Sequence, residues 1–126
     1  MEILVIGGGV SGLTTGIRLL EAGHTVSIWA RDLPPHTTSN VAAAVWYPYK
    51  AQPAARVSAW GTVAYRVFGE LLAAEGTDST GIRMAEVVNL NETPTPDPIW
   101  ARSVDNFHHA APADLPAPFR DAFVLA

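Results

Sequence analysis

The glycines at positions 7, 8, 9 and 12 constrain this chain more than any other feature. They follow Ile3-Leu4-Val5-Ile6, an apolar run rich in β-branched side chains that suits a strand buried on both faces of a parallel sheet. After them Leu13, Ile17 and Leu20 recur at four and three residues, and Gly23 stands where a helix stop is favoured, which predicts a helix over 11–22. Thr25 to Ala30 reads as a second strand over 25–30. Together these segments form a βαβ unit of about thirty residues.

Gly7, Gly9 and Gly12 fit the pattern G-x-G-x-x-G, and each has a mechanical reason to be glycine. Gly7 permits the tight turn, Gly9 lets backbone approach a dinucleotide pyrophosphate, and Gly12 lets the helix pack close to the strand. Val10 and Ser11 open the helix, whose free N–H groups and positive dipole end would receive the anion. The pattern is weak by itself, but a strand before it and a helix after it supply the context it needs. The fingerprint also calls for an acid about twenty residues on, to hold the ribose hydroxyls, and Asp32 stands there. Arg31 beside it suits a 2′-phosphate, so the first 32 residues leave NADP open, as well as a plain solvated turn.

Composition narrows the class. The chain has 126 residues, 48% hydrophobic and 16% charged, which suits a packed globular protein, and the βαβ pattern makes it α/β. Its formal charge is −4, and the excess lies in residues 51–126, with nine acids against five bases. A basic face for nucleic acid is therefore not expected. Cysteine is absent, which removes disulfides, thiolate zinc sites and cysteine nucleophiles, and an intracellular, cytoplasmic protein is expected. The N-terminus enters a strand directly, without a basic region ahead of an apolar run, and no apolar stretch reaches the ~18 residues of a span. A soluble, unprocessed chain with no membrane partner is the expectation.

Residues 31–55 lack a helical period and carry Pro34, Pro35, Pro48 and Pro53, which predicts a long loop, and such loops are usually functional. From 56 to 75 the positions Val57, Trp60, Ala64, Val67 and Leu71 predict a second helix ended by Gly76, with Trp60 and Phe68 in the core. Residues 82–90 read as a strand. Six prolines between 94 and 118 favour extended pieces and turns, and a last apolar run starts at Asp121. His24, His36 and the pair His108-His109 are expected at the surface or in loops, without a metal, because adjacent histidines on a strand point to opposite faces and no acid or third histidine stands at ligand spacing. Trp46, Tyr47 and Tyr49 suit either a cavity wall or packing, and Trp100 would open a second domain.

Downstream of Asp32 a nicotinamide enzyme would normally build a helix and a third parallel strand. This chain instead runs through Ala30-Arg31-Asp32-Leu33-Pro34, the hydroxyl cluster Thr37-Thr38-Ser39, and V-A-A-x-x-W-x-P-Y from Val41 to Tyr49. At that spacing after GGGVSGLTTG it resembles the D-amino-acid oxidase family of flavoproteins, closely as far as the helix from Arg56 and more loosely to Trp100 and beyond. The resemblance implies a Rossmann-type FAD-binding βαβ unit with a parallel sheet over 1–93 and the beginning of a β-rich substrate domain over 94–126. It implies FAD contacts at Gly7, Gly9, Val10, Ser11, Gly12, Arg31, Asp32, Thr37, Thr38, Ser39, Ala43, Ala44 and Val45. The hydroxyls can donate to pyrophosphate and ribityl oxygens without adding charge, and the small residues Ala42 to Ala44 let main chain lie flat near a planar ring. Several family members carry glycine where Ala44 stands, so the loop here is expected to sit slightly differently.

The reaction implied is transfer of hydride from the α-carbon of a D-amino acid to the flavin, giving a 2-oxo acid, ammonia and, with oxygen, hydrogen peroxide. Substrate and oxygen are then the partners, and a homodimer of the full-length protein fits the family. An arginine for the substrate carboxylate and its tyrosine partner come from a later part of such proteins, which are far longer, so no catalytic residue is assigned and the 126 residues alone are expected to be inactive. A D-aspartate or glycine oxidase is an alternative inside the class. A non-catalytic or inactive dinucleotide-binding module is an alternative outside it.

Overall fold

The computed structural model describes residues 1–42 and 44–125. The chain divides into two compact units, 1–45 and 46–126. In the first unit, β1 (Glu2–Ile6) and β2 (Thr25–Trp29) are parallel, in register from Glu2 beside Thr25 to Ile6 beside Trp29. The ladder runs on through Gly7, whose N–H donates to the Trp29 carbonyl at 2.7 Å. Helix α1 (Val10–Glu21) makes the crossover. It ends as the sequence requires: Gly23 takes φ +82°, a value open to glycine, and its N–H reaches the Leu20 carbonyl while His24 N–H reaches Leu19. The helix lies close on the sheet at Gly16, where a Cβ would stand 3.2 Å from Ile28 Cδ1.

Past β2 the expected loop contains one short helix, α2 (Thr38–Val41). Four residues are too few to display a period, so no pattern announces it.

The second unit joins a long helix to an antiparallel sheet. Helix α3 spans Ala54–Thr80 but breaks at Gly76, whose φ of 75° and ψ of 170° are not helical. The expected stop is thus present, and the chain then makes one further turn before Gly81 ends it in the left-handed region. The sheet has the order β3-β5-β4, formed by β3 (Val87–Asn91), β5 (Asp121–Leu125) and β4 (His108–His109). The expected strand over 82–90 therefore begins later, at Val87, and residues 82–86 are irregular. Being central, β5 buries Ala122, Phe123, Val124 and Leu125.

The core of this unit is aromatic. Trp100, 2% exposed, meets Trp46, Tyr47 and Phe123 edge to face at centroid distances of 5.7, 5.2 and 5.8 Å. Polar ends are paired, as buried rings require: Trp46 Nε1 donates to the Gly61 carbonyl at 2.9 Å, and Asn89 Nδ2 donates to the Tyr47 hydroxyl at 2.6 Å. Burial, with Tyr49 nearby, raises the Tyr47 hydroxyl above its ordinary value. Trp46 and Tyr47 thus serve packing, whereas Tyr49 is exposed with the Lys50 ammonium 5.0 Å above its ring.

One expectation fails here. Trp60 and Phe68 do not enter the core and stand 62% and 43% exposed. The face of α3 that packs is the one carrying Gly61 and Tyr65. A Cβ on Gly61 would lie 3.2 Å from Pro48 Cγ and 3.4 Å from Trp46, while Tyr65 stacks edge-on against Trp46 at 5.1 Å. Close approach at the smallest residue turns the bulky ones outward.

Candidate functional site

The glycine loop is built as its spacing demands. Gly7 adopts φ +112°, where a side chain is strained. A Cβ on Gly12 would run into the Gly7 carbonyl oxygen, so the first turn of α1 sits against the end of β1 with no space to spare. Gly8 is buried against the end of β2: a Cβ there would stand 3.1 Å from Ala30 Cβ and 3.2 Å from the Asp32 carbonyl oxygen. The loop and the Asp32 backbone are therefore neighbours.

Helix α1 begins at Val10 with no capping bond from Gly9 and no acid in its first turn, so its positive end is not neutralised locally. The cap comes from 29 residues further on. Val10 N–H donates to Ser39 Oγ at 3.0 Å, and a Cβ on Gly9 would meet the same oxygen at 2.9 Å. The hydroxyl stretch is thus seated on the glycine loop, in space that Gly9 leaves open. As an acceptor from Val10, Ser39 keeps its own proton to offer to an anion. Val10 and Ser11 are exposed residues at the start of the helix.

The other sequence-selected residues divide. Thr37 is buried, and its hydroxyl donates to Asn40 Oδ1 at 2.7 Å, which fixes the start of α2. Asn40 carries no pattern that singles it out; only the fold brings it to Thr37. Thr38 is exposed on α2 and its carbonyl accepts the Ala42 N–H at 3.1 Å. Arg31 Nε and Nη2 lie 2.8 and 2.7 Å from one oxygen of Asp32, Oδ2, which leaves Oδ1 as an acceptor for a hydroxyl. Ala44 and Val45 are exposed and irregular, and Ala43 lies outside the described residues. What this unit offers is a helix start with the Ser39 hydroxyl seated on it, Thr38 exposed on α2, and Asp32, whose backbone neighbours Gly8, with one carboxylate oxygen outside its contact with Arg31. That donor set fits a dinucleotide pyrophosphate and its ribose.

Residues 2–119 match the family described as FAD dependent oxidoreductase. The chain belongs to this family. Among curated relatives, a D-amino-acid oxidase of Rubrobacter xylanophilus is 41% identical over 121 residues, which is 95% of this chain and 36% of that protein. One from Dictyostelium discoideum is 35% identical over 128 residues, 99% of this chain and 36% of its own length. One from Streptomyces coelicolor is 46% identical over 92 residues, covering 73% and 28%. The chain thus spans about a third of the length of these relatives. Among the described residues, no helix is long and apolar enough to cross a membrane.

Ser39→Ala in the full-length protein removes the cap on Val10 and is expected to destabilise the apoprotein by about 0.5–2 kcal/mol, the usual cost of a lost N-cap. Urea unfolding of the two apoproteins checks this. An additional loss of FAD affinity would place the Ser39 hydroxyl on the cofactor, and unchanged affinity would limit it to capping.

Proposed function

We propose that the full-length protein is a D-amino-acid oxidase using FAD. The reading is supported by three relatives that are each named D-amino-acid oxidase and by one observation in particular: the contact of Ser39 with Val10, which brings the hydroxyl stretch onto the glycine loop. In this reading the α1 amides and Ser39 hold the pyrophosphate, Asp32 Oδ1 accepts from the adenosine ribose, and Arg31 fixes that carboxylate. FAD held there would supply the hydride acceptor for the α-carbon of a D-amino acid, with oxygen as the final electron acceptor giving hydrogen peroxide and water converting the imino acid to a 2-oxo acid and ammonia. The part this chain plays is to bind and orient the cofactor.

The test is peroxide release by the full-length protein, purified with its flavin. D-alanine is expected to support turnover and L-alanine is not. Turnover on glycine or D-aspartate with none on neutral D-amino acids would move the reading to a neighbouring oxidase. A colourless protein that produces no peroxide with added FAD would favour a non-catalytic dinucleotide-binding module.

A further inference from the structure

His109, the second residue of β4, has a carboxylate at each ring nitrogen. Nδ1 lies 2.8 Å from Asp121 Oδ1 on β5, and Nε2 lies 2.9 Å from Asp97 Oδ1 in the irregular segment after β3. The other Asp121 oxygen, Oδ2, accepts the Thr95 backbone N–H at 2.9 Å. Three pieces of chain therefore converge on one imidazole. Pro94, Pro96 and Pro98 remove alternate backbone donors from the segment, so a regular ladder cannot hold it, and side chains do so instead. The segment leads directly into Trp100, the most deeply set ring of this unit's core.

The chemistry of the contact fixes its proton count. An ionised carboxylate only accepts, and a neutral imidazole has a single N–H. Both short contacts can be hydrogen bonds only if both nitrogens carry protons. Asp97 and Asp121 are the charged groups that face the ring among the described residues; Phe107 and Phe123 wall it with centroids at 5.7 and 6.4 Å, and His108 turns to the other face with its Nδ1 at the Asn106 carbonyl.

We infer that His109, as an imidazolium, latches residues 95–97 to β4 and β5, and that loss of its proton releases the Asp97 arm. Asp97 is the arm to let go because its side chain is 68% exposed, against 12% for Asp121. A neutral ring keeps its N–H on the sheltered partner and turns a lone pair toward the Asp97 oxygen. Hydrogen bonding to Asp121 and then to Asp97 raises the His109 pKa above its ordinary 6.5. Hydrogen bonding to His109, and then from Thr95, lowers Asp121 below its ordinary 3.8. The signs follow from linkage. The histidine contribution is complete below 6.5 and is lost as pH rises through the raised value. The aspartate contribution is present above 3.8 and is lost as pH falls through the lowered value.

The latch is tested in the full-length holoprotein with labelled histidine, the His109 ring signal being assigned by its absence from His109→Gln. Wild type is expected to titrate above 6.5. Amide exchange of the peptide covering 92–100, corrected for intrinsic rates, should rise through the same pH range by up to about tenfold per pH unit. Asp97→Asn is the decisive variant, because an amide can pair with a neutral ring: its His109 should titrate lower than wild type, and the rise in exchange should vanish. A wild-type ring titrating at or below 6.5, exchange that is flat with pH, or an Asp97→Asn variant that behaves as wild type each overturns the latch.

Discussion

Gly12→Ala in the full-length protein is expected to give a less stable protein that has lost most of its flavin. The added methyl points at the Gly7 carbonyl oxygen, a backbone atom that no rotamer change can move aside. Relief requires α1 to lift from β1, which costs roughly 1–3 kcal/mol as overpacking and carries the helix-start amides away from the anion they receive. Gly69 in α3 is the matched control, since a Cβ there meets nothing within 4 Å. There the same substitution should stabilise by about 0.5–1 kcal/mol, the ordinary gain of alanine over glycine inside a helix. The measurements are flavin absorbance per mole of protein and chemical denaturation of both variants. Full flavin content in Gly12→Ala would refute the close packing assigned to the loop.

The 126 residues expressed alone are expected to self-associate, to melt without a sharp transition and to release no peroxide from D-alanine with added FAD. Their apolar side chains are plentiful on outer faces: Leu13, Ile17 and Leu20 on α1, Trp29 on β2, and Trp60, Val63 and Phe68 on α3 are all exposed. Such surface exceeds what a soluble monomer normally presents, and the two-stranded parallel sheet is too small to stand by itself. Sedimentation and calorimetry decide the matter. A monomer with a cooperative melt would show that the two small units suffice, and would favour a self-contained binding module.

Local elements were legible because their causes are local. The run Ile3 to Ile6, the periodicity of α1 and the helix stop at Gly23 each act within a few residues, so strand, helix and strand appear where the pattern requires them. Gly76 likewise interrupts α3 at the expected place, because only backbone conformation is involved. The same pattern could not say which face of α3 would pack. An apolar stripe permits several contact lines, and the close approach of Gly61 to Trp46 and Pro48 selected one that leaves Trp60 and Phe68 outside.

The sequence by itself determined the βαβ unit, the glycine loop and the residue types that a dinucleotide needs, since each rests on short-range sterics and the 3.6- and 2-residue periods. Only tertiary structure decided which distant groups would meet. Ser39 reaches Val10 across 29 residues, and His109 meets two acids each twelve residues away, on opposite sides in sequence. No spacing rule encodes such contacts: they arise where hydrogen-bonding groups left over by one element are brought within reach of another, and chain geometry, not local propensity, sets that distance.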